Sequence, residues 1–415
     1  MVISRAFVFI LLFLIVLNPY TIVGPIGSYL AIILASFFFF SRSAINFISS
    51  NVLPITILLF ISLWGVLMSV VNDIGQTTHF KAVVSLLVTF LAGFSLCRYC
   101  KKRSIHFDDI CFLLFLVIIS NGIVIFLQVQ FPALRALVEN FLVPAGNIDW
   151  TQGFRYRGLA SAGGASLSLL MPVGALLAMY LYERRRIGVI FLFLGVIILF
   201  FSGLLIGRTG TLLLVAVTFG YTIRILFMNF RKPKFIIYSL FSVVIFVMGL
   251  AFSYGLIMEY LSSKYGSEFL SYAIGFMMEG KEGFESEGTV SILADYIKVV
   301  PSAFPEIFLG FGYYGGTDFY LYSDSGYARM LLSVGWIFAP IFYFFISGLY
   351  FLGTQRKHLL LLLGVFFILL VAEFKEPLLY SGYASRILVL ISVFSSFSFY
   401  RSERWKEMSV FSVCR

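Results

Sequence analysis

Apolar stretches of bilayer-crossing length recur along the chain, and most are separated from the next by only a brief polar link. They lie near 5–22, 26–40, 52–71, 82–97, 110–129, 158–182, 187–206, 210–228, 235–257, 326–350, 359–372 and 379–400. A spanning helix needs about 17–25 such residues, so the pattern predicts about twelve spans, the second and eleventh short. Hydrocarbon offers no hydrogen bonds, so each run must satisfy its own backbone and therefore folds as an α-helix. Composition agrees: the 415 residues are 60% hydrophobic and 12% charged, whereas ordinary soluble domains are about a quarter charged. The expected fold class is an all-α polytopic membrane protein, one transmembrane domain over residues 1–415. The first run follows Arg5 and could pass for a signal peptide. No small-x-small site follows it, and Asn18-Pro19 leads straight into the next run, so it reads as a retained helix.

Basic clusters fall at every other boundary: Arg98/Lys101/Lys102/Arg103, Arg184–Arg186, Arg231/Lys232/Lys234, Arg356/Lys357 and Arg401/Arg404/Lys406. The positive-inside rule then puts both termini in the cytoplasm. The formal net charge of +10 is a topology signal on this reading, not a sign of nucleic-acid binding. Cys97, Cys100, Cys111 and Cys414 all fall on the basic side, which implies no disulfide framework. Cys97 and Cys100 with His106 and Cys111 have a faint metal-site spacing, but ordinary residues around a helix end account for them better.

Two outward segments exceed simple turns. The first, 130–157, contains Ala133–Leu142, which has helical spacing of Leu134, Leu137 and Phe141 and suits a short helix on the membrane surface. The second, 258–325, carries the acidic stretch Glu279–Gly288, the amphipathic run Thr289–Val300 and a glycine- and aromatic-rich turn region around Gly310, Gly312, Gly315 and Gly316. No internal repeat relates the two halves, which counts mildly against a repeat-built transporter.

Arg155, Arg157, Arg208, Arg329 and Arg386 stand at the outward ends of spans, where translocated loops normally avoid cations. A guanidinium at that depth needs a partner or a role, and its planar fork suits phosphate. Arg155 and Arg157 precede the small-residue stretch Ser161–Ser166. Arg208 lies in the tight link Ile206–Gly210, where backbone N–H groups beside a cation would suit a phosphate. Asp324 lies before the span that carries Arg329. It is the candidate general base, and helix capping or pairing with Arg329 is its structural alternative. Arg386 is expected to pair with Glu373 or Glu376 or to join the anion site. His79 is a secondary candidate base. Trp150, Tyr313, Tyr314 and Tyr320 could stack on sugars or anchor at the interface. Gly310–Gly315 matches GxGxxG without the strand and helix that would make it a nucleotide site. The acid run Glu279–Glu287 reads as a solvated loop. With no outward DxD pair, a metal-dependent transferase of that type is disfavoured.

Together these residues resemble the O-antigen polymerase/O-antigen ligase superfamily. An Arg-Gly precedes a small-residue span, and an Arg-Thr-Gly link joins two spans. A long outward loop follows with Pro305-Glu-Ile-Phe-Leu-Gly-Phe-Gly312, and Ser323–Gly335 then opens a span. The likeness covers roughly 150–345. It implies a C-type glycosyltransferase-like bundle acting on oligosaccharides linked to undecaprenyl pyrophosphate, at the outer face of the bacterial cytoplasmic membrane, without metal or nucleotide cofactor. It further implies that Arg157 and Arg208 hold the pyrophosphate. Position and residue chemistry, apart from the resemblance, add Arg155, Arg329 and Arg386 to that site, Asp324 and Arg208 to catalysis, and Tyr313, Tyr314 and Trp150 to sugar binding. Membrane lipid, a chain-length regulator and a flippase are the expected partners, and nucleic acid is not. The ligase branch places a His near the loop-to-span junction, where this chain has Ser323-Asp324-Ser325, so the polymerase is preferred. A lipid-linked oligosaccharide flippase or permease and a non-catalytic scaffold are the alternatives.

Overall fold

A computed structural model describes residues 2–39, 49, 51–143, 156–228, 304–315, 323–351 and 353–397. Helix α1 (Val2–Leu17) leads to a two-residue antiparallel bridge of β1 (Tyr20–Thr21) and β2 (Gly24–Pro25), then α2 (Ile26–Phe39), α3 (Val52–Val71), α4 (Thr78–Lys102) and α5 (Phe107–Gln130). Next come the short α6 (Pro132–Phe141) and α7 (Ala165–Ser168), then α8 (Leu170–Glu183), α9 (Val189–Ile206) and α10 (Arg208–Met228). Beyond the following gap stand α11 (Phe304–Leu309), α12 (Gly326–Phe351), α13 (Arg356–Ala372) and α14 (Tyr383–Phe397).

Helices therefore stand at each expected span except the one near 235–257, which lies outside the described residues. Six of them are long and apolar enough to cross a membrane, and α1, α2 and α14 are shorter apolar helices. The chain is an all-α protein built for a membrane. The sixth span departs from expectation at its start. Residues 158–164 are not helical, and the helix begins only at Ala165, after Gly164 at φ +78°.

Among the six described helices long enough to span, α8, packed on α5, α9, α10 and α13, is the most enclosed and α3 the least. Without a solvent-driven hydrophobic effect between helices in lipid, close backbone approach has to supply the packing. Gly174 on α8 fits that need, since a Cβ there would press on Leu199 and Ile118. The bundle has two polar ends. Arg5–Asp109, Arg186–Asp108 and Arg224–Glu183 pair at one, joined by the Tyr180–His358 hydrogen bond. Residues 156–164, 207–210, 323–326 and 373–382 meet at the other, called the site end below.

Segment 304–315 is inserted between α3 and α12 and is not a free turn. The α12 helix breaks at Gly335 (φ +79°), and the carbonyls of Leu332 and Ser333 accept the N–H groups of Phe311 (2.7 Å) and Gly312 (3.1 Å). From the other side, Trp64 Nε1 donates to the Leu309 carbonyl (2.7 Å) and Asn72 Nδ2 to that of Phe311 (3.0 Å). Gln76 bridges Gly315 and Tyr314. Gly312 has φ +78°, and a Cβ on it would overlap the backbone nitrogen of Ser69.

Gly312→Ala therefore combines a positive φ, costing about 1–2 kcal/mol, with overpacking of about 1–3 kcal/mol. Thermal unfolding of detergent-solubilised protein should register a loss of about 3 kcal/mol. Gly75→Ala is the matched control, also at positive φ but with nothing within 4 Å of a Cβ, and should lose about 1–2 kcal/mol. Equal losses at the two positions would contradict the insertion.

Candidate functional site

The site end is assembled from the irregular stretch before α7, the first turn of α10 and the α13–α14 link, 373–382. Gly207 closes α9, and a Cβ there would meet the Gly164 carbonyl. Arg208 opens α10 directly, so the Ile206–Gly210 link is tighter than a four-residue turn. The Gly210 N–H donates to Ser168 Oγ (3.1 Å), which takes up one of the backbone donors expected to be open. Thr209 Oγ1 accepts from Lys375 Nζ (3.0 Å). The arrangement sets the Lys375 ammonium beside the N-terminus of α10, next to Arg208, which is partly buried. A helix N-terminus with two basic residues beside it attracts an anion through its dipole.

Arg157 is placed otherwise than expected. It is fully buried and ion-paired with buried Glu139 on α6, with Nε to Oε2 at 2.8 Å. It also donates to the Leu142 carbonyl (2.8 Å) and, through Nη1, to that of Ser161 (2.9 Å). A charge out of water needs this kind of pairing, so Arg157 ties α6 to the 156–161 stretch instead of offering its fork to a ligand. Leu137 and Phe141 of α6 stay exposed, as a surface helix facing lipid requires.

Tyr383 supports the same stretch. Its hydroxyl lies 2.8 Å from Ser161 Oγ, receives the Ala162 N–H (2.6 Å) and lies 2.9 Å from the Ala162 carbonyl. Arg157 and Arg386 are both within Coulombic reach of it. Arg386 donates to the Ile15 carbonyl (2.9 Å). The expected ion pair with Glu373 does not form, because Glu373 is committed elsewhere. It accepts the Leu378 and Leu379 N–H groups (2.7 Å each) and the Tyr343 hydroxyl (2.9 Å).

Asp324 and Arg329 pair at 3.1 Å, and Arg329 Nε also holds the Ser323 carbonyl (2.7 Å). The Asp324 side chain remains 43% exposed. The first turn of α12 is fixed by the Gly326 N–H donating to the Glu373 carbonyl (2.8 Å). The 373–382 link thus grips α12 at Glu373 and α10 at Lys375, connecting the Asp324 region with the Arg208 region.

Tyr313 and Tyr314 are buried, at 2% and 4% exposure, so neither ring offers a face to a sugar. Tyr314 bonds Tyr380 (2.5 Å) and stacks on His79. His79 is itself buried among Tyr314, Phe342 and Tyr380, away from any open surface. Arg155, Trp150, Tyr320 and the runs 279–288 and 289–300 lie outside the described residues. Cys97, Cys100 and Cys111 are buried free thiols, and among the described residues no group of three His, Cys, Asp or Glu side chains is gathered as metal ligands. Lys375 is the site residue that sequence reading left without a role. Its signal was a lone lysine in a short link beside two glutamates.

Burial pushes Glu373 up to about 7 from its ordinary 4.5, against the opposing pull of the Leu379 N–H, the Tyr343 hydroxyl and the Leu378 N–H. A folded-state value above the unfolded one stabilises the protein below the unfolded value, and that stability is lost as pH rises. Between about pH 4.5 and 7 the wild type should therefore lose melting temperature faster than Glu373→Gln, which keeps the hydrogen-bond shape. Parallel slopes would refute this. Glu139→Ala, which leaves Arg157 buried and unpaired, should cost about 3–5 kcal/mol by thermal unfolding. The joint change Glu139→Leu with Arg157→Met should cost less. No protein-family model, no curated protein and no solved structure matches the chain.

Proposed function

We propose that the chain is a metal-independent glycosyltransferase of the O-antigen polymerase type, joining oligosaccharide repeat units carried on undecaprenyl pyrophosphate. The supporting observation is the cationic N-terminus of α10, where Arg208 and Lys375 flank a helix start at one end of a membrane bundle. A polyprenyl pyrophosphate keeps its tail in lipid and its phosphates at the interface, and a helix start at one end of an apolar bundle suits that depth. In this reading both termini are cytoplasmic, about twelve helices cross the membrane, and the site end faces outward.

The reaction needs an acceptor hydroxyl to attack the anomeric carbon as the carbon–oxygen bond to pyrophosphate breaks. The proton leaves to a base, and the negative charge collects on the departing lipid pyrophosphate. Fixed cations in a water-poor mouth stabilise that charge without reorganising. Arg208 and Lys375 fill this role. Asp324, accessible and held by Arg329, receives the proton. Arg157 positions the 156–161 wall through Glu139 and does not contact phosphate.

The break of α12 at Gly335 favours a second reading, a lipid-linked oligosaccharide flippase, because discontinuous helices mark transport sites. At that break the Leu332 and Ser333 carbonyls are already occupied by the N–H groups of Phe311 and Gly312, so the enzyme reading is preferred.

Polymer ladders from cells expressing each variant at equal level provide the test. Arg208→Ala, Lys375→Ala and Asp324→Asn should each stop at single repeat units, with polymer yield reduced by about 100-fold or more. Full ladders from all three would reject the site. Loss of repeats from the outer face altogether would move the assignment to the flippase.

A further inference from the structure

Arg386, which is partly buried, differs from the arginines that pair with carboxylates. Arg157 is neutralised by Glu139, Arg329 by Asp324, and Arg5, Arg186 and Arg224 by carboxylates at the opposite end. Among the described residues Arg386 has no ion pair and one hydrogen bond, to the Ile15 carbonyl. It forms part of the wall of a cavity of about 330 Å³ between α2, α4 and the start of α14. Lys81 lines the same cavity and likewise has no acidic partner among the described residues. No carboxylate contributes to the lining.

The rest of the cavity has the character of a lipid groove. Its floor is Ile15, Ala31 and Thr89, all buried, and its rim is Ile32, Lys81 and Ser85, all exposed. The opening therefore lies on the flank of the bundle between α2 and α4, where Ile32, Ile33 and Phe37 are bare. Ala31, Ile32, Val84 and Val88 give an apolar slot running along the two helices from the cations. An uncompensated guanidinium at membrane depth is costly, and a phosphate is the anion its planar fork holds best. A phosphate joined to a hydrocarbon chain satisfies both halves of the groove at once.

We propose that this groove is a binding site for an anionic phospholipid of the surrounding membrane, with the phosphate between Lys81 and Arg386 and the upper part of one acyl chain along Ala31, Ile32, Val84 and Val88. None of the residues gathered at the α10 N-terminus lines it, so the site is separate from the proposed transferase centre and stands whether or not that assignment holds.

Delipidated full-length protein in detergent is titrated with phosphatidylglycerol, phosphatidylcholine or inorganic phosphate, and bound ligand is read by native mass spectrometry. Wild type should retain phosphatidylglycerol at least ten-fold better than phosphatidylcholine. Lys81→Gln and Arg386→Gln should each lose that preference. Ser85→Trp, an exposed rim position far less able to disturb the fold, should block retention while leaving the melting temperature of the lipid-free protein unchanged. Equal retention of the two lipids, or retention unaffected by Lys81→Gln and Ser85→Trp, overturns the proposal. Equally strong binding of inorganic phosphate assigns the groove to a soluble anion and overturns it as well. Displacement of phosphatidylglycerol by undecaprenyl phosphate at equal concentration would make the groove a seat for the polyprenyl carrier and reject the phospholipid.

Discussion

The donation of the Phe311 and Gly312 N–H groups to the carbonyls of Leu332 and Ser333 is the interaction on which the rest of this bundle depends. A helix broken in the middle of an apolar protein leaves backbone acceptors that neither lipid nor a neighbouring side chain satisfies cheaply. Here the repair comes from a distant piece of backbone, admitted because Gly310, Gly312 and Gly335 carry no Cβ at the crossing. Once that piece is seated, Trp64, Asn72 and Gln76 of α3 and its link to α4 acquire their partners, Tyr314 reaches Tyr380, and the aromatic cluster around His79 closes.

Charge is handled by the same logic of local satisfaction. Each buried cation that serves architecture has a counter-charge nearby in space, as Arg157 has Glu139. Arg386, without an ion pair among the described residues, stands instead on a cavity wall. This division separates Arg157 from Arg386 more sharply than depth in the membrane does. It explains why residues that look equivalent along the chain end up with different duties.

Much of the fold was legible in the sequence because hydrophobic runs report helices directly, and α1, α3, α4, α5, α9, α10, α12 and α13 fall close to where those runs lie. The sixth span was placed too early, since Gly158–Gly164 is apolar enough to look helical, yet its small residues serve close contacts with α9 and Tyr383. The turn-like reading of Gly310–Gly315 missed that glycine permits close burial as readily as it permits looseness. At the site, Arg208 was visible as a cation in a tight link. The partner of Arg157 was not, because a pairing between residues 139 and 157 depends on how α6 lies against the chain, and no periodicity encodes that. Tyr313 and Tyr314 looked like surface aromatics for the same reason.

The insertion of 304–315 also has a consequence in time. Trp64, Asn72 and Gln76 find their partners 238 to 245 positions further along the chain. At a synthesis rate of about 5–20 residues per second, the first helices wait roughly ten seconds to nearly a minute without those long-range partners. The amino-terminal half must be inserted and held in a provisional packing until the ribosome delivers its missing strip of backbone. Quality control at the membrane therefore meets an α3, and a link after it, whose distant partners have yet to arrive.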